Sequence, residues 1–320
     1  MKATDRPELS VIITVLNERE NIAPLMEQLQ SALQTISHEV IFVDDGSTDG
    51  TQNCIRKEAY YAVRLVELRR NYGQSTAMTA GIDYAEGQYI ALLDGDLQND
   101  PADIPMMLEK LKADDLDVVA GNRESRQDGM LLRKIPSNLA NALIRKQTGV
   151  YLRDYGCTLK LFQSEIAKNL GLYGELHRFI PVLASFQGAR IAQVNVQHHP
   201  RKYGHSKYGL NRTFKVASDL ILILFFQKYL QKPMHLFGGL GLLMMIPGIA
   251  IFFYLLVLKL MQQDIWGKPI LILGVVLILM GFLFIMLGIM CEILVRIYYE
   301  SQNKKNYLVK NLFAFRDEAE

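Results

Sequence analysis

The sequence predicts an α/β fold built on a mostly parallel sheet, followed by two membrane-spanning helices. Three observations carry this expectation. Short apolar or β-branched runs alternate with helical segments through residues 9–121. Several of those runs end in an acidic cluster. Two later stretches, 234–258 and 269–291, contain no charged side chain, and each exceeds the roughly 20 residues that a helix needs to cross a bilayer.

Residues 9–16 form a β-branched run, followed by an amphipathic segment at 21–36. A second strand is expected at 40–43 with a helix at 48–57, a third strand at 63–68 with a helix at 73–84, and a fourth strand at 89–93. A helix at 101–112, with Pro101 in its first turn, leads to a fifth strand at 117–121. Continuous apolar strands separated by helices imply a parallel sheet covered on both faces. In such sheets ligands bind beyond the carboxyl ends of the strands, near the switch in strand order. No GxGxxG follows the first strand, which disfavours a dinucleotide oxidoreductase.

Beyond Gly121 the pattern loosens. Residues 123–133 read as a polar loop, 136–147 as an amphipathic helix, and 156–162 and 191–196 as later strands. A basic loop at 198–208 precedes a helix at 210–230, whose apolar run is too short to span and reads as an interfacial segment. The chain thus divides into a domain at 1–207, a juxtamembrane helix at 208–233, a membrane hairpin at 234–297 and a tail at 298–320. Arg212, Lys215, Lys228 and Lys232 precede the hairpin, and Arg296, Lys304, Lys305 and Lys310 follow it. The connection carries only Lys259 and Lys268, with Asp264. This bias places both flanks, and with them the large domain, in the cytoplasm at a cell inner membrane.

The first ten residues are charged and lack a signal-peptide pattern. The net charge of +2 and the lack of a basic tract give no sign of a nucleic-acid partner. Cys54, Cys157 and Cys291 are widely spaced and odd in number, so reduced thiols are expected. The histidines at 177, 198, 199 and 205 match no metal-ligand spacing and read as polar loop residues.

Three polar clusters fall where a parallel sheet places its ligands: Asn17-Glu18 after the first strand, Asp44-Asp45-Gly46-Ser47 after the second and Asp94-Gly95-Asp96 after the fourth. Carboxylates at the second strand suit the N–H and hydroxyl donors of a nucleoside; the same cluster can also cap the following helix, since neighbouring residues can divide the two roles. Two carboxylates one residue apart, as in Asp94 and Asp96, can hold one hard divalent cation, Mg²⁺ or Mn²⁺, against a diphosphate. Gly95 would leave room for the ligand and permit unusual backbone angles.

The segments SVIITVLNERENI, VDDGSTDGT, LRRNYGQSTAMTAG and LLDGDLQNDP resemble the GT-A glycosyltransferases of family 2, and among them the polyprenyl-phosphate glycosyltransferases related to dolichyl-phosphate mannose synthase. RQDGMLLRK, RDYGCTLKLF, HRFIPVLA and YGHSKYG are most similar to the undecaprenyl-phosphate 4-deoxy-4-formamido-L-arabinose transferase branch. The resemblance implies a Rossmann-like GT-A domain and a nucleotide-sugar donor bound through Thr14, Leu16, Glu18, Asp44, Asp45 and Asp94. It implies a metal on Asp94, Asp96 and Gln98, and a polyprenyl-phosphate acceptor gripped by Arg123, Arg133 and Ser137. Arg201 and Lys207 match a basic loop that closes over the donor diphosphate. Asp154 matches a proposed catalytic base, and it could equally orient an arginine or the acceptor. Thr14 and Leu16 stand where relatives often carry Pro and Tyr near the base, and Gly95 replaces a frequent Ala, a minor change. A UDP-sugar is expected over a GDP-sugar, the bilayer is a partner, and a homo-oligomer is expected.

Chemistry makes these assignments sensible. A lipid phosphate monoester is already anionic at neutral pH and needs little general-base help. The barrier lies in bringing two anions together and stabilising a departing nucleoside diphosphate, which calls for cations. Transfer with inversion at the cytoplasmic face is therefore expected, yielding a lipid-linked sugar for envelope modification. A processive polysaccharide synthase usually carries QxxRW before its membrane helices, whereas the single Trp here is Trp266, between the spans. A non-catalytic membrane scaffold is the other alternative, and the intact acidic and basic clusters argue against it.

Overall fold

A computed structural model describes residues 6–60, 62–123, 145, 150–172, 174, 176–201, 225, 229 and 232–301. Seven strands alternate with helices in the first part of the chain: β1 (Leu9–Val15), α1 (Arg19–Ala32), β2 (His38–Asp44), α2 (Thr51–Glu58), β3 (Val63–Glu67), α3 (Gln74–Tyr84), β4 (Tyr89–Asp94), α4 (Asp103–Ala113), β5 (Val118–Arg123), β6 (Lys160–Gln163) and β7 (Ile191–Val196). They form one sheet in the order β3-β2-β1-β4-β6-β5-β7. All neighbours run parallel except β6, which is antiparallel to both β4 and β5. The strand order reverses at β1, which has β2 on one side and β4 on the other.

The sheet is covered on both faces, so its central strands are buried almost end to end. Val11, Ile13, Val40, Phe42, Ala91 and Leu93 pack into one cluster with Ile22, Leu25 and Leu29 of α1 and Ile104, Met107 and Leu108 of α4. Burying each of the larger apolar side chains among them contributes about 1.5–3 kcal/mol before chain entropy is counted. On the other face α3 lies so close that a Cβ on Gly81 would stand 2.3 Å from Ile12 Cγ2.

Several expected bounds shift, among them the helix expected at 21–36, which runs Arg19–Ala32; three shifts have a local reason. The helix expected at 48–57 begins at Thr51. Ser47 and Thr48 are spent on loop bonds, and Asp49 Oδ1 accepts from Thr51 N at 3.0 Å. The helix expected at 101–112 begins at Asp103, because Asp100 Oδ1 accepts from Ala102 N at 2.9 Å and holds Pro101 and Ala102 in a turn. The strand expected at 156–162 starts only at Lys160; Gly156 N is turned onto Asp154 Oδ1 at 3.0 Å. The 3₁₀ turn Leu176–Phe179 and the helix Ile180–Phe186 have no counterpart in the sequence reading. The expected helices at 136–147 and 210–230 lie almost wholly outside the described residues.

The chain divides into two compact units, Met1–Leu220 and Ile221–Glu320. The second contains the helices Pro233–Leu260 and Pro269–Ser301, with candidate membrane spans at Pro233–Leu260 and Pro269–Val295. Only 17% and 11% of their most apolar windows is buried, so neither is the core helix of a globular unit. Glycines let the two backbones meet: a Cβ on Gly281 would stand 2.7 Å from Gly241 O, and one on Gly248 would stand 2.8 Å from Ile278 Cγ1.

Candidate active site

Strand register brings the three acidic clusters to one end of the sheet. Val15 pairs with Asp44 across β1 and β2, and Thr14 pairs with Asp94 across β1 and β4. Glu18, Asp44 and Asp96 therefore leave three adjacent strands on the same carboxyl edge, around the point where strand order reverses. Thr14 and Leu16 lie on this edge, both partly buried, and Thr14 O accepts from Gly95 N at 3.3 Å.

The first two loops are stapled together. Asn17, held at φ +51°, donates its N–H to Ser47 Oγ at 2.8 Å and accepts Thr48 N on Oδ1 at 2.8 Å. Glu18 N donates to Thr51 Oγ1 at 3.0 Å, and Asn21 Nδ2 donates to Glu18 Oε2 at 2.6 Å. Asp44 is buried and accepts from Ser47 and from Gln52 Nε2, the latter at 2.7 Å. Asp45 faces the other way and takes Tyr72 N at 2.7 Å and Gly73 N at 2.9 Å, fixing the loop that opens α3. Gly46 is needed twice over: its φ is +81°, and a Cβ would meet the Arg70 carbonyl carbon at 2.7 Å.

At the end of β4, Asp94 is gripped by Gln74 Nε2 at 2.7 Å and Thr158 Oγ1 at 2.6 Å. Desolvation pushes its carboxyl up to about 6, and the neighbouring charge of Asp96 adds to the rise. Gly95 serves a purpose other than the one expected. Its backbone is not in the left-handed region, and a Cβ would stand 2.5 Å from Val15 Cγ1. The glycine lets the turn press on β1, so replacing the relatives' frequent Ala is not a minor change here. The left-handed residue is Leu97, at φ +60° and buried. It turns the backbone so that Gln98 N reaches Asp96 Oδ1 at 3.1 Å.

Asp96 Oδ2 is left facing Arg201, whose Nη2 lies 2.7 Å away, while Arg201 Nη1 lies 3.4 Å from Glu18 Oε1. A short ladder sets this contact. Asn99 pairs with His198, His199 N donates to Gln98 O at 2.8 Å, and Gln197 N donates to Asp103 Oδ2 at 2.7 Å. His199 Nε2 lies 3.2 Å from Asp100 Oδ2, and His177 Nδ1 lies 2.9 Å from Ser75 Oγ.

At the end of β5, Arg123 forms a two-pronged pair with Asp154: Nε to Oδ2 at 2.6 Å and Nη2 to Oδ1 at 3.0 Å. Burial pulls the guanidinium's pKa down, but the hydrogen bond and charge of Asp154 more than offset it, and the pKa stands above its ordinary value. Beneath lies Lys160, only 2% exposed, with Nζ donating to Cys157 O. Burial pulls its pKa below the usual lysine range.

The donor chemistry fits a hard divalent cation. Asp94 and Asp96 offer carboxylate oxygens, and a guanidinium resting on Asp96 shows that the spot attracts positive charge. Among the described residues no group of three or more His, Cys, Asp or Glu side chains is arranged to hold a metal. An ion there would draw further ligands from donor phosphates and water, as Mg²⁺ usually does.

The structure therefore gathers Thr14, Leu16, Glu18, Asp44, Asp45, Asp94, Asp96, Gln98 and Arg201 at one edge, and joins Arg123 to Asp154. Arg133, Ser137 and Lys207 lie outside the described residues. Sequence reasoning missed Gln74, Thr158, Gln52 and Lys160. Lys160 had a signal, a charge inside the apolar run 159–162. Gln74 and Thr158 had none, because each meets Asp94 only through the fold.

Comparison with known proteins adds four findings. A family model described as "Glycosyl transferase family 2" matches residues 10–171. The chain is 45% identical to dodecaprenyl-phosphate galacturonate synthase of Rhizobium johnstonii, over 98% of this chain and 95% of that protein. It is 33% identical to undecaprenyl-phosphate 4-deoxy-4-formamido-L-arabinose transferase of Salmonella choleraesuis, over 95% and 93%. In fold it is similar to glucosyl-3-phosphoglycerate synthase from Mycobacterium tuberculosis, solved in complex with Mn²⁺, uridine diphosphate and glucosyl-3-phosphoglycerate. That match has a TM-score of 0.54 at 19% identity and covers 69% of this chain and 80% of the other.

Proposed function

Since the chain belongs to glycosyl transferase family 2, we propose that it moves a sugar from a nucleotide-sugar donor onto polyprenyl phosphate at a membrane surface. The observation that carries this reading is the register that brings the ends of β1, β2 and β4, and with them the segments carrying Glu18, Asp44 and Asp96, to one edge at the switch point of the sheet. Both relatives carry names that join a sugar to a polyprenyl phosphate.

In this reading Asp44 and Glu18 hold the nucleoside side of a UDP-sugar, with Thr14 and Leu16 beside the base. Asp45 acts at one remove, by fixing the Tyr72-Gly73 backbone. Asp94, Asp96 and Gln98 hold Mg²⁺ or Mn²⁺, which when bound offsets the charge of the diphosphate. Arg201 and Lys207 stabilise the departing nucleoside diphosphate. Arg123, Arg133 and Ser137 receive the lipid phosphate, whose oxygen attacks the sugar with inversion. That phosphate is already ionised, and both Asp154 oxygens accept from Arg123. Asp154 therefore orients the arginine and is not needed as a base. The acceptor is undecaprenyl phosphate or a close polyprenol, the catalytic domain faces the cytoplasm at the inner membrane, and the protein assembles with copies of itself.

The sequence reading set the chain beside the formamidoarabinose transferases, whereas the galacturonate synthase shares more of its residues. A uronosyl nucleotide thus comes first in the test. Membranes containing the full chain are incubated with undecaprenyl phosphate and a panel of labelled nucleotide sugars. One labelled, mild-acid-labile glycolipid is expected. Label in a polymer would support a processive synthase, and no metal-dependent donor binding at all would support a scaffold.

A further inference from the structure

Arg201 does more in this structure than wait for a diphosphate. Its guanidinium spans two carboxylates from different strand ends, Glu18 at 3.4 Å and Asp96 at 2.7 Å. Both acids are 8% exposed, so this is no solvated surface pair, and two such acids held close without a cation would repel. Asp96 has divided its oxygens: Oδ1 takes Gln98 N, and Oδ2 takes Arg201. Each Asp96 oxygen thus already has a partner, and an ion that takes Oδ2 must contend with Arg201. The contact is also built in by the backbone. The 98–99 and 198–199 segments are laddered, and His199 is bonded to Asp100, which fixes the chain two residues before Arg201.

Resting on the donor-site reading above, we propose that Arg201 is an internal stand-in cation that competes with the divalent ion for Asp96. It holds Glu18 and Asp96 together until donor and ion arrive, and its displacement delivers it to the diphosphate. One side chain cannot neutralise Asp96 and grip the diphosphate at once. Ion and nucleotide therefore bind as a pair, each making room for the other. Bare metal binds weakly, which keeps the site from filling with an ion and no donor.

The test is Mn²⁺ binding to the full chain in detergent, after EDTA treatment and desalting, followed by the paramagnetic signal of free Mn²⁺ and corrected for the Mn²⁺–UDP complex measured in protein-free solution. In the unaltered protein Mn²⁺ alone should bind weakly, and saturating UDP should tighten it at least tenfold. Arg201→Gln should tighten Mn²⁺ binding without UDP about tenfold, and the further gain from UDP should shrink. Arg201→Lys, whose point charge cannot bridge both acids, should fall between. It also serves if the Gln variant fails to fold. Mn²⁺ affinity without UDP that is unchanged or weaker in both variants overturns the stand-in role while leaving the donor site in place. If Mn²⁺ binds none of the three proteins even with UDP, the donor-site reading itself falls, and this inference with it.

Discussion

Changing Asp154 to Asn separates two roles for this acid, a base or a clamp for Arg123. The pair is double-pronged, at 2.6 and 3.0 Å, with side chains only 15% and 10% exposed. Removing one partner of such a buried pair leaves a desolvated charge and costs about 3–5 kcal/mol. Asn retains one acceptor but turns an N–H₂ toward the guanidinium, so the lower end, about 3 kcal/mol, applies. At roughly 2–4 °C per kcal/mol for a domain of this size, the melting point should fall by roughly 6–12 °C. The double variant Arg123→Met with Asp154→Leu removes both charges and should recover much of that loss while transferring no sugar. The assay is thermal unfolding of the full chain in detergent, beside steady-state kinetics. A clamp predicts that Asp154→Asn raises the KM for the acceptor and leaves that for the donor unchanged. If Asp154→Asn melts within about 2 °C of the parent and lowers kcat alone, the clamp argument is wrong and the acid acts on the reacting groups.

Asp96→Asn should retain the fold yet lose EDTA-sensitive transfer; undiminished turnover would remove the metal assignment. Asp94, with its carboxyl pushed up to about 6, must shed a proton to hold a cation. Mn²⁺ binding in the presence of a UDP-sugar, whose esterified diphosphate has no group titrating near 6, should therefore weaken as pH falls below 6 and release protons at pH 5.5 but not at 7.5, which calorimetry in buffers of different ionisation enthalpy can read. For topology, Gln263→Cys in a cysteine-free background should react with an impermeant label from outside and Lys305→Cys should not; the opposite pattern would reverse the orientation. Gly281→Val puts a branched side chain where even a Cβ stands 2.7 Å from Gly241 O. It should force the two helices apart and lower the melting point by several degrees, and an unchanged melting point would argue against this packing.

The class of fold, the acidic edge and the two apolar spans are legible in the chain before it folds. Those signals are local. A strand's β-branched run, an acid at its end and an uninterrupted apolar stretch are each written within one short segment. The fold then decided what those residues touch. Gly95 could not be read correctly from its own triplet, because the atom that requires a glycine is on Val15 of the neighbouring strand. Asp94 owes its Gln74 and Thr158 partners to the packing of α3 and of the segment before β6, and Arg201 reaches Asp96, 105 positions away, through the ladder that pairs Asn99 with His198. Strand β6, antiparallel inside an otherwise parallel sheet, likewise shows in no local pattern. Hydrophobic periodicity reports which face a residue buries. Hydrogen bonds between distant loops depend on register and chain crossing, which only the assembled sheet sets.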